Sequence, residues 1–246
     1  MPWKWYDGKV IRIENHNATT KSFFVKVDSD LPFEFKAGQF VTMDLPISEK
    51  RLKRWRSYSI ANAPDGSNVL EFCIVLLDGG AGTTYLFNEV EVGSNIRFKG
   101  PSGMFTLPEQ EERDIVFVCT GTGVAPFKGM LDDLKKQNRI DRNIHLIFGT
   151  RHSQGILYED ELSALAVAND NFNYSVTLSR EAELPEKSFE VKKGYVHQIY
   201  LKQYAIKRED LVFYLCGWSN MIDEAVDNLT NKLGYDKNQV KYELYG

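Results

Sequence analysis

The stretch Ile115-Val116-Phe117-Val118-Cys119-Thr120-Gly121-Thr122-Gly123-Val124-Ala125-Pro126 decides the architecture of this chain. Its apolar opening reads as a buried strand. Two glycines then make a tight turn, and the residues beyond it open a helix with Phe127, Met130, Leu131 and Leu134 on one face. A strand that passes through a glycine turn into a helix is the context a dinucleotide phosphate requires: the backbone comes close, and the first amides of the helix point at the anion. The run departs from Gly-x-Gly-x-x-Gly, because Pro126 occupies the third position. Proline in a first helical turn is compatible with helix initiation.

Working outward, apolar strands are expected at 144–148, 174–178, 211–216 and 240–244. Helices alternate with them. One carries Leu162, Leu165 and Ala166, and the last carries Met221, Ile222, Ala225, Val226 and Leu229, with Asn220 as its cap and Gly234 as its stop. This rhythm predicts a doubly wound parallel α/β domain over about 113–246. The second strand ends in Gly149-Thr150-Arg151, without the ribose-binding acid of an ordinary Rossmann dehydrogenase.

Upstream the style differs. Residues 9–107 read as short strands of alternating polarity: Ile11 and Ile13; Phe23, Val25 and Val27; Val41, Met43 and Leu45; Leu70, Phe72, Ile74 and Leu76; Ile96 and Phe98. Ala37-Gly38, Asp65-Gly66, Gly79-Gly80, Gly93-Ser94 and Gly100-Pro101 mark the turns. Many short strands with regular turns predict a closed or sandwiched antiparallel sheet. Glu109-Gln110-Glu111-Glu112-Arg113 reads as a solvated charged connector between the domains.

Length and composition fit this plan. A chain of 246 residues holds two ordinary domains, and 43% hydrophobic with 26% charged residues is globular usage. A formal charge of −4 argues against nucleic acid as the main partner. Cys73, Cys119 and Cys216 are far apart in sequence, so neither a disulfide framework, a metal site nor an iron–sulfur loop is expected. Without a signal-like h-region or a membrane-length apolar run, the expectation is a cytoplasmic protein with no membrane insertion.

Three segments carry chemistry. In Arg56-Ser57-Tyr58-Ser59 a guanidinium can grip a pyrophosphate, a phenol can stack on a flat ring, and a hydroxyl can reach a ring nitrogen. Alone, these four residues fit an ordinary strand equally well. Gly79-Gly80-Ala81-Gly82-Thr83-Thr84 offers close backbone approach and helix-start hydroxyls, and alone also fits a flexible hairpin loop. Cys216 sits at the carboxyl end of a parallel strand, where such sheets bind ligands, although a free cysteine is commonly just a buried apolar residue.

In order along the chain, these motifs resemble the ferredoxin–NADP reductase superfamily, closest in style to bacterial flavodoxin/ferredoxin reductases and to the reductase components of oxygenases and flavohaemoglobins. The likeness runs from about residue 8 to the end and implies that the first domain, 1–108, is an antiparallel Greek-key β-barrel that binds the flavin. It implies that Arg56, Ser57, Tyr58 and Ser59 form the Arg-x-Tyr-Ser flavin motif, with Gly80, Gly82, Thr83 and Thr84 as a second phosphate loop. Gly100-Pro101-Ser102-Gly103-Met104-Phe105 matches the motif that closes the barrel domain. Gly121, Thr122, Gly123 and Pro126 would bind the nicotinamide nucleotide, and Cys216 and Gly217 would lie beside the nicotinamide. Glu243 and Tyr245 match the acid and aromatic of the family's last strand; here Gly246 follows the aromatic.

The implied activity is electron transfer from NAD(P)H through FAD to a separate carrier such as ferredoxin or flavodoxin, in a site between the two domains. Ser59, Cys216, Glu243 and Tyr245 are its catalytic candidates. The alternatives are an oxygenase reductase component, or a reductase of free flavin, ferric iron or a quinone. Arg151, Ser179 and Arg180, with Lys192, Lys193 and Tyr195 beyond, are cationic and aromatic groups placed for a 2′-phosphate, which favours NADPH over NADH. NADH-using relatives usually carry proline after such a Ser-Arg pair; here Glu181 follows.

Overall fold

The computed structural model describes residues 4–245, so Met1–Trp3 and Gly246, the outer limits of the two expected domains, lie outside the described residues. The chain divides into two compact units, Met1–Leu107 with Ala125–Asp133, and Pro108–Val124 with Leu134–Gly246.

The first unit contains β1 (Trp5–Asn17), β2 (Thr20–Val27), β3 (Phe40–Asp44), α1 (Arg51–Arg54), β4 (Trp55–Ser59), β5 (Val69–Val75), α2 (Ala81–Asn88) and β6 (Asn95–Ser102). Its strands pair antiparallel in the order β4-β3-β6-β1-β2-β5. Just past β4, Ala61 N–H donates to the Glu71 carbonyl of β5 (2.8 Å), drawing the two outer strands toward closure. Inward side chains fill the barrel; Val41, Leu70, Phe72 and Phe98 are fully buried.

One strand departs from simple alternation. Val10 faces Val25 but Arg12 faces Phe24, so the register slips by one residue at Ile11. This β-bulge leaves Ile11 exposed and returns Ile13 to the core face. Arg12 covers the Phe24 ring at 3.6 Å.

The second unit contains β7 (Asp114–Thr120), β8 (Ile144–Thr150), α4 (Glu159–Ala168), β9 (Phe172–Leu178), β10 (Glu190–Lys193), α5 (His197–Gln203), β11 (Leu211–Trp218), α6 (Ser219–Asp227) and β12 (Val240–Tyr245), with α3 (Val124–Lys136) between β7 and β8. All strands are parallel, in the order β10-β9-β8-β7-β11-β12. The winding reverses between β7 and β11, which puts the switch point of the sheet between the carboxyl ends of those two strands.

Residues 125–133 of α3, within the range expected for the second domain, pack with the first unit: Phe127 lies against Phe105 (5.8 Å between ring centroids), and Lys128 forms a buried ion pair with Glu71 (3.3 Å). Two expectations are corrected. The connector is not fully solvated. Glu111 is buried and takes both Nε and Nη2 of Arg113 at 2.8 Å, a contact that lowers its pKa. The last helix starts at Ser219, so Asn220 lies in its first turn and Trp218 holds the cap position. Among the described residues no helix is long and apolar enough to cross a membrane.

A buried polar chain braces the outer strands of the second unit. Ser175 Oγ donates to Glu190 (2.8 Å), while His145 meets Ser175 through Nε2 (2.9 Å) and Tyr204 through Nδ1 (2.8 Å). With the serine proton committed to Glu190, Nε2 donates and Nδ1 accepts from the Tyr204 hydroxyl, so the imidazole is neutral. Burial pushes the His145 pKa down from 6.5 to about 4. Because an unfolded chain would protonate this histidine first, the stabilisation is complete above pH 6.5 and lost as pH falls toward about 4, a change on the order of 3 kcal/mol. Urea unfolding at pH 7 and pH 4.5 should therefore show a steeper loss in the wild type than in His145→Gln. Equal losses would show that His145 does not set the slope.

Candidate functional site

In the first unit, β4 is positioned by β3, with Met43 opposite Arg56 and Val41 opposite Tyr58. Arg56 donates through Nη1 to the carbonyls of Lys53 (3.0 Å) and Trp55 (2.8 Å). Its Nε and Nη2 have no hydrogen-bond partner among the described residues. The arginine stem lies against Gly82, where a Cβ would fall 2.8 Å from Arg56 Cγ. Any side chain at 82 would separate the two, so glycine brings the start of α2 onto the arginine. Unpaired guanidinium donors beside the open amides of a helix start make a cradle for an anionic group such as a pyrophosphate.

The other residues of this cluster differ in availability. Thr83 Oγ1 accepts from Leu77 N–H (3.0 Å) and donates to the Gly80 carbonyl (3.1 Å), so its hydroxyl shapes the turn. Thr84 is exposed. Tyr58 packs on the barrel core, and burial pushes its phenol up to about 12 against the opposing pull of Arg56, keeping it neutral. Ser59 is buried, whereas Ser57 is exposed and pairs with the Thr42 hydroxyl (3.0 Å).

In the second unit the switch point collects a different set. Gly121 has φ +54°, a left-handed turn suited to glycine. Gly123 meets the end of β11: a Cβ there would fall 2.7 Å from the Cys216 carbonyl carbon and 2.9 Å from Gly217 Cα. Thr122 lies between them in a single 3-10 turn, and Pro126 falls in the first turn of α3. Gly217 in turn admits Thr120, whose buried Oγ1 has no partner among the described residues and would sit 2.5 Å from a Cβ at 217.

Cys216 is fully buried, in register with Cys119 on one side and Glu243 on the other. Burial pushes its thiol well up, and the charge of Glu243 pushes the same way; hydrogen bonding from the Tyr245 side chain partly offsets both. The sulfur is therefore a neutral thiol. Cys216, Glu243 and Tyr245 lie together at the carboxyl ends of β11 and β12.

A third group gathers at the ends of β8 and β9. Arg180 N–H donates to the Arg151 carbonyl (2.9 Å) and Ser179 N–H to that of Thr150 (3.0 Å), so the two arginines leave adjacent, joined backbones with exposed side chains. Glu181 turns away into the next loop, accepting Ser153 N–H at 2.6 Å, a bond that lowers its pKa. Gly194 N–H donates to Leu178 O (2.9 Å), and the exposed Tyr195 follows it, stacked on His197 (5.4 Å between ring centroids). Thr120 and Trp218 were not singled out from sequence. Thr120 lies inside the quoted turn and Trp218 directly after Cys216-Gly217, but only strand register reveals what they adjoin.

Comparison with known proteins places each half of the chain in a domain family. Residues 7–107 match the oxidoreductase FAD-binding domain, and 117–227 the oxidoreductase NAD-binding domain. Ferredoxin–NADP reductase B of Sorangium cellulosum is 34% identical over 220 residues, covering 87% of this chain and 86% of that protein. The chain belongs to the ferredoxin–NADP reductase superfamily.

This superfamily member is an FAD-dependent NAD(P)H oxidoreductase. A ferredoxin NADP+ reductase from Neisseria gonorrhoeae, solved with bound FAD and NADP, superposes with a TM-score of 0.80 at 25% identity and covers 98% of each chain. The electron transfer component of anthranilate 1,2-dioxygenase from Acinetobacter baylyi is 33% identical over 77% of this chain. The reductase chain matches only 52% of that component's length.

Proposed function

We propose that this protein takes electrons from NADPH and delivers them, by way of FAD, to a separate one-electron carrier such as ferredoxin or flavodoxin in the cytoplasm. The observation that carries the reading is the convergence of Gly121–Gly123 and Cys216-Gly217 at the switch point, in a chain that also pairs Arg56 with the Gly82 turn. The likeness to Sorangium ferredoxin–NADP reductase B over most of its length favours a ferredoxin-type acceptor.

The roles follow from the residues' chemistry. Arg56 and the amides at the start of α2 would hold the FAD pyrophosphate, and Tyr58, kept neutral, would present its ring to the flavin. FAD, when bound, supplies the exchange between two-electron and one-electron chemistry. The Gly121–Gly123 turn would hold the nucleotide phosphates. Cys216 would bound the nicotinamide position with a soft, uncharged atom that neither attacks nor traps the ring. Ser59, Glu243 and Tyr245 would order the groups around the reacting ring atoms.

Arg151 and Arg180, with Ser179 and Tyr195, would take the 2′-phosphate and adenine of NADPH. Two cations on adjoining backbones suit a phosphate dianion better than a bare ribose. Oxidation assays with NADPH and NADH, each with ferredoxin, flavodoxin and small acceptors, test the reading directly. NADPH should be preferred, and Arg180→Ala should remove most of that preference by raising KM for NADPH about tenfold or more, the loss of one charge-assisted contact. Equal use of the two nucleotides by the wild type would contradict the assignment.

The second reading is a reductase component of an oxygenase, favoured by the likeness to the anthranilate dioxygenase component. Faster turnover with an oxygenase partner than with free ferredoxin or flavodoxin would select it.

A further inference from the structure

Trp218 ends β11 and lies in register beside Tyr245 at the carboxyl edge of the sheet, two residues beyond Cys216. It is 52% exposed. Among the described residues its indole has neither a ring neighbour nor a hydrogen-bond partner. Several other aromatic rings of the second unit are paired: Tyr204 and Tyr235 with Phe213, Tyr174 with Phe189, and the exposed Tyr195 with His197; Tyr242 is as exposed as Trp218. A large ring left half in water at the edge where such sheets bind ligands is accessible to a flat partner.

Its place in the strand narrows what it contacts. Neighbouring parallel strands run about 4.8 Å apart, so residues paired in register stand side by side. Trp218 therefore borders the same mouth as Tyr245. Gly217, with φ +146°, has no side chain to come between Cys216 and Trp218; Thr120 and Met221 fill the position a Cβ would take. The molecule expected at this mouth carries two flat heteroaromatic rings, and tryptophan offers the broadest π-face of any side chain for such a ring.

We propose that Trp218 is a positioning residue whose indole stacks on a flat ring of the bound nicotinamide dinucleotide. This rests on the NADPH reading above and adds a specific contact to it. Stacking holds the ring in the ground state and the transition state alike, so its loss should appear in KM and leave kcat nearly unchanged.

The test uses the FAD-loaded protein and the two halves of the nucleotide, 2′,5′-ADP and nicotinamide mononucleotide, with binding followed by calorimetry and NADPH oxidation measured in parallel. Trp218→Leu keeps apolar bulk without a π-face, and Trp218→Phe keeps a smaller face. The leucine variant should bind one half about tenfold more weakly and raise KM for NADPH by a similar factor, with kcat within about twofold, while phenylalanine stays within about threefold of wild type. A loss confined to 2′,5′-ADP assigns the adenine ring, and one confined to the mononucleotide assigns the nicotinamide. Wild-type affinity of the leucine variant for both halves, with unchanged KM, would overturn the proposal. So would a leucine variant whose lower activity lies in kcat alone. A wild-type protein that binds FAD but does not oxidise NADPH would instead overturn the cofactor reading on which the proposal stands.

Discussion

Gly123→Ala is expected to cut kcat/KM for NADPH about tenfold to a hundredfold while the purified protein keeps its FAD. A methyl group at 123 would overlap the backbone of Cys216 and Gly217, at 2.7 Å and 2.9 Å from their carbonyl carbon and Cα. Neither obstacle is a flexible side-chain tip, so the turn and the end of β11 must separate. Overpacking of this kind costs roughly 1–3 kcal/mol, and a displacement near 1 Å at a reacting site can cost about a hundredfold in rate. The proposed flavin cradle, Arg56 and the Gly82 turn, lies in the other unit, so flavin content should not change. Steady-state kinetics with a dye acceptor, together with the flavin-to-protein absorbance ratio, check both halves of the statement. Wild-type kcat/KM in the alanine variant would mean that this close approach is incidental.

Arg56→Ala should do the reverse: flavin affinity falls about 10- to 150-fold, the range for a charge-assisted contact worth roughly 1.5–3 kcal/mol. The guanidinium spends Nη1 on two carbonyls of its own chain, leaving Nε and Nη2 for a ligand. Lysine restores charge but not the fork, so Arg56→Lys should fall between alanine and wild type. Flavin dissociation followed by fluorescence, across a dilution series, measures the effect. Unchanged retention in the alanine variant would remove Arg56 from the pyrophosphate site.

Much of the fold was legible because its strands carry clean periodic signals. Phe23, Val25 and Val27 alternate as a half-buried strand must, and 115–119 and 144–148 are uninterrupted apolar runs. Where the periodic signal fails, so did the reading. The bulge at Ile11 changes phase inside β1, which alternation alone cannot register. β10 is a short edge strand, Glu190-Val191-Lys192-Lys193, whose charges suit an edge and hide it in the sequence. α5 has only Ile199 and Tyr200 fully buried within its seven residues, too few for a visible helical stripe.

The site was legible at its motifs and not at its contacts. Arg56, Gly121, Gly123, Cys216 and Gly217 are residue types whose chemistry or backbone freedom announces itself. Thr83 could be placed in the glycine-rich turn at 79–84 from sequence, but the capture of its hydroxyl by Leu77 N–H and the Gly80 carbonyl depends on how that turn closes. The fit of Gly123 against Cys216, the unpaired Thr120 hydroxyl and the setting of Trp218 all arise from which strands become neighbours across the switch point.

Anaerobic mixing of the FAD-loaded protein with NADPH addresses the central claim most directly, because it isolates electron entry from every later partner. The oxidised flavin absorbance should bleach within a single turnover and return when ferredoxin or flavodoxin is added. A protein that holds FAD and shows no bleaching with either NADPH or NADH would contradict the account.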